Sequence, residues 1–357
     1  MTSLSLPWLI LIFVAAAGAI WIAGVQLSNQ TDVLAERLHL GAALGGTVLL
    51  AVATNLPEIA ITVSAATSGN VGVATGNILG GIAIQTVVLV ALDAFGTHGG
   101  RPLMHRAASL TLVLEGAVVV AVLGVVIAAS QLPRDLILAR VAPGGLLIAL
   151  LWIAGLLLLN RAGRGLPWQE QGEAPDNQEP PKGHSRKKKE QDATARGKKT
   201  GKAAAIFVFA ALVTLVAGVV LERSGDAISD DIGFSGVLFG ATVLAAATSL
   251  PELSTGLTSV RNGDYQLAVS DIFGGNAFLP VLFLVATVVS GQAVLPQAAS
   301  SDIYLTAVAI LLTIVYVVGL IFRPTKRVLG MGVDSLVVLV LYVVSVAGLI
   351  TLSGGNG

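Results

Sequence analysis

The sequence predicts an all-α membrane protein with about ten transmembrane helices, arranged as two inverted repeats of five helices each. The first observation is composition: the mean hydropathy is +0.84, and only 12% of the residues are charged, far below a soluble domain. The second is length, because apolar runs of about 20 residues, enough to cross a hydrocarbon layer of about 30 Å, recur along the chain. The third is an internal repeat of two polar motifs.

Ten apolar runs lie between polar or turn-rich breaks, and we number them as spans 1 to 10 in chain order. The run from Leu4 to Leu27 lacks the positive start and the small-residue cleavage site of a signal peptide, so it is interpreted as span 1. The ten runs are residues 5–27, 41–67, 71–95, 107–130, 140–160, 202–222, 234–260, 265–290, 302–322 and 333–352.

A long polar break separates spans 5 and 6. The segment from Arg161 to Lys202 contains eleven Lys or Arg residues with both ends counted, several acids and four prolines, with few apolar residues. This composition is typical of a disordered linker. The chain therefore divides into a first transmembrane repeat (residues 1–160), a basic linker (residues 161–201) and a second transmembrane repeat (residues 202–357).

The distribution of Lys and Arg predicts the orientation, because cytoplasmic loops retain these residues. The loops that follow spans 1, 3, 5, 7 and 9 carry 18 of the 21 basic residues, and the other side carries three. We therefore expect an integral membrane protein, in a prokaryotic inner membrane, with a cytoplasmic linker and both termini outside.

An internal repeat relates spans 2 and 3 to spans 7 and 8. Residues 46–81 aligned without a gap to residues 240–275, at an offset of 194, give 13 identities in 36 positions. Five spans separate the two copies, and this odd number means that they cross the membrane in opposite directions. Inverted repeats of this kind are typical of secondary transporters, whose site lies near the midplane where the repeats meet.

Each repeat carries a Thr-x-Leu-Pro-Glu motif inside a span. In the first copy Thr54 and Glu58 are four residues apart, and therefore share one helix face; Thr248 and Glu252 form the second copy. The proline of each motif lacks an N–H, which removes the helical hydrogen bond to the carbonyl four residues earlier. Hydroxyl, carbonyl and carboxylate oxygens are the ligands that Ca²⁺ takes.

Two matched carboxylates inside the membrane require an explanation, because each costs at least about 2.5 kcal/mol there. No Lys or Arg lies at a comparable depth in spans 2, 3, 7 or 8 to pair with them. The following spans add Asn77 and Asp271 at the same repeat position, each followed by paired glycines that permit close helix packing. The pattern predicts a cation site between the repeats.

These motifs resemble those of the cation/calcium antiporters, which include the sodium/calcium exchangers and have ten helices with an outside N-terminus. The resemblance implies that Thr54, Glu58, Thr248 and Glu252 hold Ca²⁺, with Asn77 and Asp271 beside it. It also implies that the carbonyls of Ala51 and Ala245 help to hold Na⁺. Asn55 departs from the usual Ser, which Ser249 retains, and both belong to the predicted ion-binding set.

Two features leave the coupling ion open between Na⁺ and H⁺. The hydroxyl that the family's sodium sites use, one turn before Asn77 and Asp271, is missing: Val73, Ala74, Leu267 and Ala268 stand there. Three ionised carboxylates in an empty site would also be costly at low dielectric, which favours proton loading. We therefore expect exchange of Ca²⁺ for Na⁺ by alternating access, with an H⁺-coupled divalent exchanger or a Na⁺/H⁺ antiporter as alternatives.

The remaining features predict neither an enzyme nor a cofactor. No zinc His-Glu-x-x-His, Gly-x-Ser-x-Gly or nucleotide-binding motif is present in the sequence. The expected partners are membrane lipid and the transported cations, with no nucleic acid, and no pattern specifies an oligomer. Glu115, within span 4 and without a repeat counterpart, is expected to bond between helices. Asp93, Asp302 and Asp334, near span ends, are expected to be solvated helix caps.

Overall fold

Helices form nearly all of the secondary structure in the part of the chain that the computed structural model describes. The described residues are 4–37, 52–97, 100–162, 167, 200–233, 239–261 and 263–354. The predicted first repeat contains α1 (Leu6–Arg37), α2 (Leu56–Thr67), α3 (Val71–Gly96), α4 (Leu103–Ala107), α5 (Leu110–Ser130) and α6 (Pro143–Ala162).

The predicted second repeat follows the same order with more interruptions. Its helices are α7 (Thr200–Ile232), α8 (Ala245–Thr248), α9 (Leu250–Arg261), α10 (Tyr265–Phe278), α11 (Leu282–Ser290), α12 (Ser300–Phe322) and α13 (Val333–Gly354). A π-helical turn, Gly240–Leu244, precedes α8, and 3₁₀ turns occupy Leu279–Val281 and Leu295–Gln297. A two-residue antiparallel hairpin, β1 (Arg327–Val328) and β2 (Met331–Gly332), joins α12 to α13.

Eight helical segments of the described chain are long and apolar enough to cross a membrane, and they correspond to spans 1, 3, 4, 5, 6, 8, 9 and 10. Spans 2 and 7 occur as shorter helices, because each is interrupted at its Leu-Pro-Glu motif. The starts of both spans, at residues 41–51 and 234–238, lie outside the described residues, as does nearly all of the predicted linker. The prediction of an all-α membrane protein on an inverted-repeat scaffold is confirmed.

The helices of spans 1 and 6 extend beyond the predicted apolar runs, although the membrane-spanning segment of the first ends at Leu27 as predicted. Residues 27 and 222 end the apolar runs, but α1 continues to Arg37 and α7 to Ile232, with 32 and 33 residues. A helix of 32 residues is about 48 Å long, more than the hydrocarbon layer requires, so polar residues can occupy its end outside the lipid. Hydropathy therefore locates the apolar part of each helix and not its end.

Two packed groups of helices make up the molecule. The larger core is formed mainly by α3, α5, α10 and α12, with buried side chains such as Phe273, Phe283 and Tyr316. The long helices α1 and α7 lie side by side. Phe13 of α1 also meets Phe239, the residue before the π-helical turn of span 7, edge-on with ring centroids 5.9 Å apart. The pair α1/α7 shares its apolar cluster with Ile61 of α2 and Val73 of α3, so it packs directly against the rest of the bundle.

The three aspartates expected to be solvated caps, Asp93, Asp302 and Asp334, are all buried, and Asp93 is a hydrogen-bond centre. Asp93, near the end of α3, is fully buried and accepts from the Leu103 N–H, the Gly332 N–H and the Ser335 hydroxyl. The expectation for Asp93 was wrong because the hairpin folds over the end of α3, which a sequence pattern does not reveal. Asp302 behaves as a cap, since its carboxylate accepts from the Ala299 N–H at 2.8 Å.

Candidate ion-binding site

Both Thr-x-Leu-Pro-Glu motifs interrupt their helices at the same repeat position. Asn55, with φ −87° and ψ 14°, precedes α2, and Ser249, with φ −82° and ψ 5°, precedes α9. Each motif proline then lies in the first turn of a new helix, where its missing N–H costs nothing. Glu58 and Glu252 consequently sit in the first turns of α2 and α9, where the partial positive charge of a helix N-terminus favours a carboxylate.

The four Thr and Glu side chains of the two motifs are buried, each with at most 1% of its surface exposed. The structure brings each hydroxyl to the carboxyl group of the other repeat. Thr248 interacts with the Glu58 carboxyl, and Thr54 interacts with the Glu252 carboxyl. Inverted symmetry therefore brings the two motifs together in space, although 194 residues separate them in the chain.

The Glu58 and Glu252 carboxyl groups face little else that could balance their charge. Within the described chain, no donor completes a hydrogen bond of normal geometry to either oxygen of either group. Both polar atoms of the Asn77 side chain, which is fully buried, also lack such a partner there. Buried polar groups are nearly always paired, so these oxygens together indicate a place for a ligand.

Asp271 lies near Glu252 and has a partner that the motifs did not indicate. Glu252 interacts electrostatically with both Glu58 and Asp271. The Thr255 hydroxyl donates to Asp271 at 3.0 Å and to the Glu252 carbonyl at 3.2 Å. Thr255 follows Glu252 by three residues on the same helix face, and this spacing is the signal that could have identified it.

The three carboxyl groups do not close around a single point. Among the described residues, no group of three or more His, Cys, Asp or Glu side chains is close enough to hold a metal ion. Hydroxyl, amide and carbonyl oxygens would have to complete a Ca²⁺ shell, which typically needs about six to eight oxygens. The residues predicted for the site include all three of these types, in the hydroxyls of Thr54 and Thr248, the amide of Asn77 and the carbonyl of Ala245.

The residue that departs from the family pattern, Asn55, has its own contact. Its side-chain oxygen accepts from Gln85 Nε2 on α3 at 3.3 Å, and both side chains are buried. The equivalent Ser249 instead donates to the carbonyl of Ala245 at 2.8 Å, one turn earlier. Sequence reasoning missed Gln85, because it lies outside both motifs.

The structure describes one of the two backbone carbonyls predicted to hold Na⁺. The Ala245 carbonyl accepts from the Ser249 hydroxyl and from the Thr248 hydroxyl, the latter at 3.1 Å. Its lone pairs are therefore directed at motif side chains in this conformation. Ala51 lies outside the described residues.

A matched pair of glycines places the α1/α7 pair against the motif prolines. A Cβ on Gly24 of α1 would lie 2.7 Å from the Pro251 Cβ. A Cβ on Gly218 of α7 would lie 3.2 Å from the Pro57 carbonyl oxygen and 3.0 Å from the Ala60 Cβ. Gly24 and Gly218 are themselves 194 residues apart, so each long helix contacts the motif of the opposite repeat at an equivalent point.

Glu115 makes the contact between helices that its sequence position suggested. Ser270 of α10 donates to the Glu115 carboxylate at 3.0 Å, and Glu115 is 8% exposed. This hydrogen bond joins α5 to the residue that directly precedes Asp271. The expectation of a bond between helices is confirmed.

Comparison with known sequences places these motifs in a family context. The family described as "Sodium/calcium exchanger protein" matches residues 8–160 and 202–351. The chain is 25% identical over 285 residues to the "Putative antiporter CaxA" of Alkalimonas amylolytica, covering 78% of this chain and 80% of that protein. It is also 25% identical over 317 residues to "Inner membrane protein YrbG" of Escherichia coli K12, covering 86% and 87%.

Solved structures share the fold at low sequence identity. The crystal structure of the H⁺/Ca²⁺ exchanger CAX has a TM-score of 0.67 at 14% identity, covering 97% of this chain and 86% of that one. The sodium–calcium exchanger NCX_Mj has a TM-score of 0.60 at 16% identity, covering 96% and 99%.

Proposed function

This chain belongs to the sodium/calcium exchanger protein family, and from that premise we propose that it exchanges Ca²⁺ for Na⁺ across the membrane by alternating access. The family consists of exchangers and not of a class of enzymes, and the chain is an integral membrane protein with eight described segments able to span a bilayer. A prokaryotic inner membrane is the location that we propose, in keeping with the relative named as an inner membrane protein.

The observation that carries this proposal is the pairing of two buried, inverted motifs whose glutamates lack hydrogen-bond donors of normal geometry in the described chain. In the proposed site, Glu58 and Glu252 supply charge to Ca²⁺, and Thr54 and Thr248 supply hydroxyl oxygens. Asn77 and Asp271 complete the side-chain ligands. Na⁺ would use the same carboxylates with Asn55, Ser249 and the carbonyls of Ala51 and Ala245.

Alternating access follows from the way in which the helices are grouped. The pair α1/α7 packs against α2 and α3 through small and apolar side chains and meets each motif proline through a glycine. Glycine contacts offer little side-chain interlocking, which favours sliding of the pair across the core bundle. A single site exposed to each side in turn enforces exchange, because one ion must leave before the other binds.

The proposed topology keeps the division made from the sequence. Residues 1–160 and 202–357 form the two transmembrane repeats, and residues 161–201 form a cytoplasmic basic linker. Both termini lie outside, as the Lys and Arg distribution favours.

H⁺ is the second candidate for the coupling ion. The positions one turn before Asn77 and Asp271 have no hydroxyl, which weakens a sodium site. Chains of this fold include both an H⁺/Ca²⁺ exchanger and a sodium–calcium exchanger. The same carboxylates could carry protons in place of Na⁺, with Ca²⁺ as the common substrate.

The test is uptake of radiolabelled Ca²⁺ into proteoliposomes loaded with Na⁺, compared with vesicles that carry only an outward proton gradient. Uptake driven by Na⁺, and lost in Glu58→Gln and in Glu252→Gln, is the expected result. Uptake driven only by the proton gradient would show that the coupling ion is H⁺ and not Na⁺. The proposed Ca²⁺ site would be unaffected by that result. If neither gradient drives Ca²⁺ uptake, the calcium proposal falls and Na⁺/H⁺ exchange takes its place.

A further inference from the structure

Glu115 is a buried carboxyl group outside the set of residues assigned to the transported ions. It is the sixth residue of α5 and is 8% exposed. The Ser270 hydroxyl donates to Oε1 at 3.0 Å, while Oε2 is buried and has no hydrogen-bond partner in the part of the chain described. The group is therefore only half satisfied within a transmembrane segment.

An ionised carboxylate at this depth would be costly. A charged side chain inside a membrane costs at least about 2.5 kcal/mol, and such groups normally pair with one another or with a cation. One serine hydroxyl does not neutralise a charge, and a proton on Oε2 would do so while keeping the bond from Ser270. A proton is the ligand that fits this place.

The surroundings of Glu115 differ between the repeats in a consistent way. Four pairs of residues that are 194 positions apart differ in polarity. In each pair one residue is polar or acidic, and the other is apolar or neutral. The polar members all contact one another or adjoin in the chain, through the Thr255–Asp271 and Ser270–Glu115 hydrogen bonds. The pairs are Asp271 and Asn77, Thr255 and Ile61, Ser270 and Gly76, and Glu115 and Ala309.

Asp271 stands where the first repeat has Asn77, and it is accompanied by the polar side chains of Thr255 and Ser270, which the first repeat lacks. An acid at position 271 brings a negative charge that Asn77 does not bring. Ser270 connects the helix that carries this charge to Glu115. Loading or releasing a proton at Glu115 would therefore alter the electrostatic surroundings of Asp271.

The titratable groups on the helices packed against α5 leave Glu115 without a basic neighbour in the described chain. On α10 the group beside Ser270 is Asp271, and Tyr265 contacts Arg106. On α12 the Tyr316 hydroxyl lies 3.5 Å from the Ser335 hydroxyl, and Asp302 bonds to Ala299. The remaining titratable or charged groups on these helices are Tyr304 at the start of α12 and Arg161 at the end of α6.

We propose that Glu115 is a proton-binding site of this protein, separate from the cation ligands Glu58 and Glu252 and linked by Ser270 to the helix that carries Asp271. The proposal rests on the proposed exchange function for its physiological role. Protonated Glu115 is the resting form, and release of its proton at alkaline pH adds a negative charge beside α10 that slows the exchange cycle.

The first measurement does not depend on transport. Infrared difference spectra of the purified wild-type protein, titrated from neutral to alkaline pH, should show a protonated carboxyl band that disappears as the pH rises. The Glu115→Gln variant should lack this band at every pH. The matched control is Glu222→Gln, because Glu222 is also buried and accepts from a serine, Ser64, at 3.1 Å. A band that persists in Glu115→Gln, or that disappears in Glu222→Gln instead, overturns the proposal.

The second measurement is the pH profile of Ca²⁺ uptake in proteoliposomes. Gln keeps an oxygen to accept from Ser270 and cannot ionise, so Glu115→Gln should retain maximal uptake and lose the alkaline decline of the wild-type chain. An unchanged alkaline decline in Glu115→Gln would contradict the proposal. If the wild-type chain takes up no Ca²⁺, the exchange function fails, and the infrared band still decides the proton site.

Discussion

At the scale of single residues, the most consequential contact is the crossing of hydroxyl and carboxyl groups between repeats. Thr54 interacts with the Glu252 carboxyl and Thr248 with the Glu58 carboxyl. Neither repeat can therefore assemble this arrangement alone. Each glutamate depends for its polar surroundings on a residue from the opposite half of the chain.

A substitution that removes one hydroxyl tests this dependence. Thr54→Val keeps the shape of the side chain but leaves Glu252 without its oxygen neighbour, so Ca²⁺ binding should weaken. The expected loss is about 10-fold to 100-fold, the usual effect of removing a partner of a metal ligand. Equilibrium Ca²⁺ binding to the purified protein measures it.

The control for this prediction is Thr287→Val. Thr287 is equally buried, but its hydroxyl bonds to the Phe283 carbonyl of its own helix at 2.8 Å. This variant should bind Ca²⁺ as the wild-type chain does, and Thr54→Ser should bind nearly as well. Equal binding by Thr54→Val and the wild-type chain would remove Thr54 from the site.

The motif residues could be predicted from sequence because both copies carry them at one spacing. Gln85 could not, since its role arises from a contact with Asn55 that forms only when the helices pack. Thr255 could be identified only from its spacing to Glu252, and its contact with Asp271 also forms on packing. The ligand roles of the motif residues stay a prediction. The structure adds to them the burial and the unpartnered carboxyl oxygens of Glu58 and Glu252.

At the scale of helices, the interrupted motifs and the two long helices form a matched contact. Gly24 of α1 lies against Pro251, and Gly218 of α7 lies against Pro57 and Ala60. The symmetry of these contacts means that motion of α1 and α7 would affect both motifs in the same way. The long helices are the moving elements in the proposed mechanism.

A disulfide between α7 and α2 should stop exchange without abolishing ion binding. A Cβ at position 218 would lie 3.0 Å from the Ala60 Cβ, so a disulfide, which needs a separation of about 3.5 Å or more, requires the two helices to move apart only slightly. The chain contains no Cys, so Gly218→Cys combined with Ala60→Cys offers a single possible bond. Oxidation should block Ca²⁺ exchange in proteoliposomes, and reduction should restore it.

The single variant Gly218→Cys, treated with the same oxidant, separates the disulfide from other effects of oxidation. Exchange by the oxidised double variant at the rate of its reduced form would show that α7 does not move relative to α2. Loss of Ca²⁺ binding on oxidation would instead show that the disulfide distorts the site.

Helix type and order could be predicted from hydropathy, whereas helix ends could not. Apolar length locates a segment within the lipid, but α1 and α7 continue for ten residues beyond their apolar runs to Arg37 and Ile232. Spans 2 and 7 are interrupted at the motif prolines, where the sequence indicated the loss of one helical hydrogen bond. The π-helical turn before α8 has no signal in the sequence that we can identify.

At the scale of the whole molecule, the inverted repeat explains why the two motifs meet. Copies that cross the membrane in opposite directions bring the same segment of each repeat to the same depth. The symmetry is incomplete around α10, where Asp271, Thr255 and Ser270 replace less polar counterparts. The repeats therefore share the proposed cation site, whereas the proposed proton site at Glu115 of the first repeat has no counterpart in the second, where Ala309 stands.

The overall architecture was predictable because lipid restricts a spanning chain to a few solutions. In hydrocarbon every backbone polar group must be satisfied within the protein, so long apolar runs imply helices. The family followed from the motifs and not from composition, since many membrane proteins share this hydropathy. The placement of the termini outside stays a prediction.

The measurement that tests the central claim most directly is Ca²⁺ binding by calorimetry to the purified chain and to Glu58→Gln and Glu252→Gln. If both repeats hold one ion between them, the wild-type chain binds one Ca²⁺ and each single variant loses that binding, while remaining monodisperse. Retention of wild-type Ca²⁺ affinity by either variant would contradict the claim, because it would mean that one repeat suffices.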